Sequence, residues 1–265
     1  MEILGYAASL LIGISLGLIG GGGSILTVPV LVYLFRQDAA IATFYSLFIV
    51  GVTSMVGSVS FFRKGQIDLR TALFFGMPSV ITVYLTRLYI FPAVPEEILF
   101  VDNWLLSKDM FLMITFAILM VAASYSMIKK CRGEDCDEER PVKNNVVAIL
   151  AYGAATGLTT GMLGAGGGFI IIPALVSLLG LDIRKAIGTS LFIIAVNSLF
   201  GFSVSITQFS IEWALIIKIA LLAIAGLFVG MYFSARTDGK KLKPAFGYFV
   251  LLMGVYILLK EITDV

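Results

Sequence analysis

The feature that most constrains this chain is a series of apolar runs, most of them close to the length of a membrane-spanning helix. A helix needs about 20 apolar residues to cross a bilayer. The composition agrees, because 59% of the residues are hydrophobic and 14% are charged, whereas soluble domains carry about 25% charged residues. The sequence therefore predicts an all-α integral membrane protein with helical elements at 3–20, 24–35, 39–62, 70–92, 110–128, 145–163, 168–180, 184–206, 212–234 and 244–260.

These ten elements form two sets of five. A shift of 144 residues brings glycine, proline, aspartate and serine positions into register, which chance similarity between two Leu- and Ile-rich segments would not do. Duplicated units are typical of transporter folds. We assign 1–128 to a first membrane repeat, 129–143 to a cytoplasmic linker and 144–265 to a second membrane repeat. Coinciding pairs include Gly20 and Gly164, Pro29 and Pro173, Asp38 and Asp182, Ser46 and Ser190, and Ile67 and Ile211.

The basic residues indicate how the two repeats are oriented. Five crossings per half, an odd number, would invert the second half relative to the first. With this count most Lys and Arg residues fall on one side, as cytoplasmic loops require, and Arg36, Lys108 and Lys260 are the exceptions. Treating the first two elements of each half as one broken crossing would scatter the basic clusters over both faces. We therefore predict two inverted-topology repeats with both termini outside.

A glycine-rich junction precedes the second element of each half, at 17–24 and at 161–168. Each second element is only about a dozen residues, or roughly 18 Å of helix, which is short for a hydrocarbon core of about 30 Å. Consecutive glycines allow turns that other residues cannot make, and unpaired amides there must face protein or a polar cavity. We expect these breaks and short helices to meet near the membrane midplane.

The glycine junctions are predicted to bind an anion. Each short helix would present its N-terminus there, where free N–H groups and the positive end of the helix dipole favour negative charge. Two such ends would form a site with no charged side chain. The alternative is that the glycines only permit close helix packing. The junction residues assigned to substrate binding are Gly20, Gly22, Gly23, Ser24, Gly164, Gly166, Gly167 and Gly168.

Polar side chains recur at matching places in the third element of each half. Hydroxyl and amide groups could donate hydrogen bonds to anionic oxygens, although interhelical hydrogen bonding is an equally available role. Ser190 and Asn197 are seven residues apart and therefore share a helix face. The third-element residues assigned to substrate binding are Ser46, Thr53, Thr189, Ser190 and Asn197.

The charged residues beside the spans have ordinary explanations. Asp38 and Asp182 precede the third elements, where a carboxylate commonly caps a helix, and proton coupling is the alternative. Arg87 and Lys218 lie near span ends, where we predict that their side chains snorkel to the membrane surface. Energy coupling is not visible in the sequence, because no carboxylate lies clearly at mid-membrane.

Several classes of function are disfavoured. The chain has no histidine and a formal net charge of only +2, so we expect no enzymatic activity, cofactor, metal site or nucleic-acid partner. Cys131 and Cys136 in the linker are interpreted as reduced, solvated thiols, with a metal or redox pair as the alternative. The glycine stretches lack the Lys-Ser/Thr ending of a P-loop. A small anionic substrate and the lipid bilayer are the expected partners, and no oligomeric state is indicated.

The paired motifs resemble a known family. GLIGGGGSILTVPVL and GMLGAGGGFIIIPALVSLLGLDIRKAIGTSLF are similar to the motifs of the TauE/SafE sulfite exporters, and the likeness covers essentially the whole chain. The resemblance implies a multi-pass transporter of the bacterial inner membrane that moves small sulfur-containing oxyanions, such as sulfite or organosulfonates, usually outward. A longer insert around 93–109 departs from the family pattern.

Two other functions compete with a secondary transporter that works by alternating access. A passive anion channel could use the same anion site, and it would conduct without saturating. A membrane scaffold or assembly protein could use the same bundle without transport, but it would need a sizeable soluble domain or a polar cluster. The longest polar segment is the linker of about fifteen residues.

Overall fold

The structure is a computed structural model that describes residues 2–101, 104–129, 146–234 and 239–263. The predicted linker at 129–143, with Cys131 and Cys136, lies almost wholly outside the described residues. The helices of the first half are α1 (Glu2–Ile19), α2 (Thr27–Tyr33), α3 (Ala39–Arg63), α4 (Leu69–Leu85), α5 (Phe91–Ala93) and α6 (Lys108–Lys129). Those of the second half are α7 (Val146–Leu163), α8 (Gly168–Leu179), α9 (Ile183–Ser205), α10 (Trp213–Ser234) and α11 (Gly239–Thr263).

The apolar runs predicted most helix bounds to within two residues, because each long run becomes one helix. Three short elements were not predicted. A 3-10 helix, Gly20–Leu26, precedes α2, and a π-helical turn, Thr86–Ile90, joins α4 to α5. An antiparallel hairpin, β1 (Glu97–Val101) with β2 (Trp104–Ser107), occupies the insert between α5 and α6. The prediction of an all-α membrane protein is confirmed for the spans, and the hairpin lies between them.

The helices pack mainly between the two halves of the chain. α1 packs along α10 and α4 packs along α7, whereas α3 pairs with α9 and α6 with α11. The set of pairings is unchanged if the first and second halves are exchanged, because α1 corresponds to α7 and α4 to α10, so that α1 with α10 becomes α7 with α4. This exchange symmetry is what a two-fold relation between duplicated halves requires.

The central pair, α3 and α9, runs antiparallel. Gly51 of α3 lies against Leu199 of α9, and Gly201 lies against Leu47. Equivalent helices of parallel repeats would run in the same direction, so this crossing has the direction expected of inverted halves. We call the end of the bundle with the loop at 64–68 the first end, and the opposite end, with the loop at 206–212, the second end.

The α4 helix runs parallel to α9 and packs against it. Gly76 is beside Ile193, and Val83 packs against Gly201, so the two helices keep a constant offset as they ascend. α4 therefore starts at the first end of the bundle and reaches the second end with its π-helical turn. This register determines which residues of α4 and α9 lie at the same height along the bundle.

The bundle is apolar outside and partly polar inside. Six helical stretches among the described residues are long and apolar enough to span a membrane. Large apolar side chains on α4 and α10, including Phe74, Met77, Leu221 and Phe228, are exposed. Serine and threonine hydroxyls, by contrast, are buried between α3, α4, α7 and α9. Such a surface suits lipid, which leaves the interior as the place for a polar solute.

Candidate functional site

The glycine junction of the first half turns the chain back on itself. Gly20 has φ +74°, a left-handed conformation that glycine tolerates and most residues do not. Gly23 then packs against Ser15 and the backbone of Leu16, and further on the Phe35 ring comes to lie 5.5 Å from the ring of Tyr6. The junction is therefore the tip of a helical hairpin inside the bundle.

The second junction uses more left-handed glycines to make the corresponding turn. Gly164, Gly166 and Gly167 have φ values of +66°, +66° and +68°. Gly167 is the residue before α8, and its carbonyl oxygen accepts hydrogen bonds from the N–H groups of Ile170 and Ile171. The turn therefore leads directly into a regular helix of 12 residues.

The two junctions contact each other backbone to backbone. A Cβ atom added to Gly168 would overlap the backbone of Gly21, and one added to Gly21 would overlap Gly168. The hydroxyl of Ser24 lies within hydrogen-bond distance of the carbonyl oxygens of Gly21 and Ala165, and its single hydrogen can donate to either. The predicted meeting of the two glycine breaks is thus present, and its closeness depends on the absence of side chains.

This contact lies halfway along the central helices. A Cβ atom added to Gly166 would approach Val50 and Ile194 to 2.9 Å each. Val50 is near the middle of α3, and Ile194 is the middle residue of α9. Both helices are long enough to span a bilayer, so their midpoints lie near the membrane midplane. This is the depth at which the junctions were predicted to meet.

The hydroxyl groups at the junctions already have protein partners. Ser46 donates a hydrogen bond of 2.8 Å to the carbonyl oxygen of Gly164, and Ser24 bridges the two turns as described above. The contacts between the two halves therefore involve Ser24, Gly164, Gly166, Gly168 and Ser46 of the predicted residues. Gly20, Gly23 and Gly167 pack against other residues of the bundle. All eight junction residues and Ser46 are buried. In this conformation both serines join one half to the other.

The remaining predicted site residues are spread along α3 and α9. Asn197 is buried, and its Nδ2 donates a hydrogen bond of 2.7 Å to Ser79 on α4. Thr53 is buried and its hydroxyl has no hydrogen-bond partner within the described residues. Ser190 donates to the carbonyl oxygen of Ile187 in its own helix. Asn197 and Thr53 therefore keep free hydrogen-bonding capacity, whereas Ser190 uses its donor locally.

Thr189 lies away from the junctions, at the first end of the bundle. Its Oγ1 accepts a hydrogen bond of 3.0 Å from the backbone N–H of Asp68, in the loop between α3 and α4. At the second end, Tyr45 occupies the equivalent position, and its hydroxyl accepts a hydrogen bond of 2.9 Å from the N–H of Glu212. The two side chains therefore tie a loop to the bundle at opposite ends.

Of the two predicted helix caps, the one in the second half is present and the one in the first half is not. Asp182 caps α9, because its side chain accepts a hydrogen bond from the N–H of Arg184. Asp38 precedes α3, but its side chain makes no capping bond. Asp109 of α6 accepts the hydrogen bond from Ala40 instead. The capping prediction for the Asp38 side chain is wrong, because a carboxylate distant in sequence takes that position.

The snorkelling prediction for Arg87 is also wrong. Its side chain is fully buried, in the π-helical turn at the end of α4. Its Nε, Nη1 and Nη2 atoms have no hydrogen-bond partner within the described residues. A π-turn widens a helix and frequently accompanies a functional site. The signal that could have found Arg87 was its position inside an apolar span, where an ionisable residue is a functional candidate. Lys218, by contrast, is exposed, as snorkelling requires.

The fold and the buried helix breaks define a class, a multi-pass membrane transporter with discontinuous helices at its centre. The model of the sulfite exporter TauE/SafE family matches residues 5–257, and the chain belongs to this family. Within the described residues no three His, Cys, Asp or Glu side chains form a group that could hold a metal ion.

Relatives that are described as probable membrane transporter proteins are found in three different organisms. A "Probable membrane transporter protein" of Xylella fastidiosa (strain Temecula1) is 26% identical over 255 residues, covering 94% of this chain and 91% of the relative. YdhB of Bacillus subtilis, which carries the same description, is 26% identical over 249 residues, covering 94% and 96%. A relative from Methanocaldococcus jannaschii is 23% identical over 265 residues, covering 94% and 92%. No solved structure matches the chain.

Proposed function

We propose that this transporter exports small sulfur-containing oxyanions, such as sulfite or organosulfonates, by alternating access around the paired glycine junctions. The observation that carries the proposal is the backbone contact between Gly21 and Gly168, two helix breaks from different halves that meet halfway along α3 and α9. The family description, a sulfite exporter, supports the chemical class of the solute. The substrate-binding residues of the proposal are those predicted from the sequence except Thr189, which holds a loop at the first end of the bundle.

The packing of the halves supports alternating access. Inverted halves give a transporter two equivalent arrangements, one open to each side of the membrane. α3 and α9 cross antiparallel between two other helix pairs, α1 with α10 and α4 with α7. One of these outer pairs can therefore rock against the other. We propose further that the first end is cytoplasmic in the bacterial inner membrane and that both termini lie outside. Exposed basic residues at the first end support this orientation, namely Arg63, Lys64, Arg70, Arg184 and Lys185.

The same contact favours a carrier over a passive channel. A channel needs a continuous polar path, but the Gly21 and Gly168 backbones touch and Ser24 bonds across them. In this conformation the middle of the bundle is closed by protein. In a carrier the two junctions would separate on one side of the membrane at a time, so the solute never meets a continuous path.

A flux assay in proteoliposomes tests the proposed substrate class. The panel consists of sulfite, sulfoacetate, taurine, sulfate and acetate, each with and without a proton gradient. We expect saturable uptake of sulfite or sulfoacetate that the other sulfur oxyanion inhibits. Flux that rises linearly with concentration would identify a channel, and the absence of flux for every solute would favour a scaffold without transport.

A further inference from the structure

Arg87 is a buried cation inside an apolar span. Its guanidinium group is fully buried, and none of its three nitrogen atoms has a hydrogen-bond partner within the described residues. An uncompensated charge inside a protein is strongly unfavourable, so buried charges are normally paired. Five N–H donors in a fixed fork match an oxyanion with at least two oxygens. The side chain is therefore poised for an anion that can approach from within the bundle.

Adjacency in sequence and the register of α4 against α9 place two buried hydroxyl groups at the level of Arg87. α4 and α9 run parallel with a constant offset, in which Ser79 is paired with Asn197, and the same offset puts Arg87 level with Ser205. The hydroxyls of Ser205 and Thr86, the preceding residue, are buried without a hydrogen-bond partner within the described residues. Three unpaired polar groups at one level are consistent with a binding site.

A second cation lies near Arg87, on the same aromatic ring. The Arg87 Cζ and the Lys108 Nζ each lie 4.5 Å from the centroid of the Phe91 ring, so they are at most twice that distance apart. Lys108 donates a hydrogen bond to the Phe91 carbonyl oxygen, and Glu96 and Asp109 are its acidic neighbours. Neither carboxylate hydrogen-bonds to the guanidinium group of Arg87 within the described residues, so its N–H donors remain available to an external anion.

Aromatic rings cover this level at the second end of the bundle. The Phe44 ring stacks on Phe202 at 4.7 Å and on Phe209 at 5.1 Å, and Phe91 packs edge-on against Phe209 at 6.4 Å. Rings of this kind exclude water, and low local polarity strengthens the attraction between an anion and a guanidinium group.

We propose that Arg87, with Thr86 and Ser205, forms a binding site for a small oxyanion on the second-end side of the glycine junctions. The proposal rests on the transport function proposed above and adds a charged residue to a site that the sequence predicted to have none. An anion leaving the junctions toward the second end would bind here through a bidentate contact with the guanidinium group, under the aromatic rings.

Binding to purified protein tests this site. Thermal-shift and calorimetric titrations in detergent would use sulfite, sulfoacetate, phosphate and acetate against the wild type and three variants. Arg87→Met copies Met231, the equivalent residue of the second half. Arg87→Lys keeps the charge but removes the fork. Arg70→Gln is the matched control, because Arg70 is an exposed arginine on the same helix.

We expect Arg87→Met to weaken oxyanion binding about 10- to 150-fold, Arg87→Lys to weaken it less, and Arg70→Gln to leave it unchanged. The ligand-free Arg87→Met protein should melt no lower than the wild type, because the substitution removes an unpaired buried charge. A low melting temperature for Arg87→Met together with normal binding by Arg87→Lys would indicate a structural role and overturn the proposal.

The outcomes separate this site from the proposed function. If the wild type binds sulfite and Arg87→Met binds it equally well, the Arg87 site is wrong and the transport proposal stands. If the wild type binds phosphate through Arg87 but no sulfur oxyanion, the site stands and the substrate class is wrong. A titration with phosphatidylglycerol distinguishes a lipid headgroup, since binding of that lipid alone would overturn the site for a small solute.

Discussion

The two halves of this protein share a backbone plan but differ in the side chains of their fourth helices. α4 carries Ser79 and a fully buried Arg87, whereas the equivalent positions of α10 are Ala223 and Met231. Ser79 binds Asn197, and Ala223 has no side chain that could make such a bond. The two halves therefore share the elements that shape the bundle but differ in the polar side chains of α4 and α10.

The two glycine junctions also differ from each other, in the backbone conformation of the turn and in the helix that follows it. The first makes its turn with one left-handed glycine and continues as a 3-10 helix, Gly20–Leu26, before the seven residues of α2. The second uses three left-handed glycines and leads into the 12-residue α8. Only the second provides a regular helix long enough for a strong dipole at its N-terminus. We therefore expect the second junction to contribute more to anion binding.

The largest expected effect comes from the contact between the junctions. Gly168→Ala would place a methyl group inside the backbone of Gly21, so the two halves could not close and transport should be lost. Gly76→Ala is the matched control, because an added Cβ there meets only Ile193 at 3.8 Å, an ordinary contact. Flux in proteoliposomes, with insertion checked by size exclusion, measures the difference. Normal transport by Gly168→Ala would show that closure of the junctions is not required.

A smaller effect is expected at Asn197 and at its equivalent, Thr53. Asn197→Leu removes the partner of Ser79 and leaves a buried hydroxyl unsatisfied, which should cost about 1–3 kcal/mol of stability. Thr53→Val removes a hydroxyl that has no partner within the described residues, so stability should hardly change. Thermal unfolding without ligand tests both. Equal destabilisation by the two substitutions would contradict the view that the halves differ at this level.

If these two residues also bind substrate, the affinity should fall in both variants. A lost hydrogen bond to a charged oxyanion would weaken binding by about 10- to 150-fold. Sulfite titration of each variant measures this separately from stability. Wild-type affinity in both variants would remove Thr53 and Asn197 from the proposed site.

The smallest effects are expected where Tyr45 and Thr189 hold loops at opposite ends. Thr189→Val removes one hydrogen bond to a loop N–H group, worth about 0.5–1.5 kcal/mol. Tyr45→Phe removes two, one accepted from the N–H of Glu212 and one donated to the carbonyl oxygen of Ser210. Each substitution should favour opening at its own end. Cysteine accessibility at position 210 should rise in Tyr45→Phe, and accessibility at position 66 should rise in Thr189→Val. If cysteine accessibility rose at the same end in both variants, Tyr45 and Thr189 would not make equivalent loop contacts at opposite ends.

The sequence predicted the framework better than the site, for a physical reason. Helix bounds follow from local apolar runs, and the glycine breaks at Gly20 and Gly164 follow from a duplicated pattern. The burial of Arg87 depends on a π-helical turn and on the packing of α4 against α9, which no local pattern reports. For the same reason Asp109, from another helix, caps α3 in place of Asp38. Contacts between distant segments had to be observed.

The central claim is that one anion site, held between the two halves, is exposed to each side of the membrane in turn. Counterflow of labelled sulfite tests it directly, because a carrier exchanges external labelled solute for internal unlabelled solute, whereas a channel only equilibrates them. Proteoliposomes loaded with unlabelled sulfite should accumulate the label transiently above its equilibrium level, and Gly168→Ala proteoliposomes should not. Monotonic equilibration of the label in wild-type proteoliposomes, with no transient accumulation, would contradict alternating access.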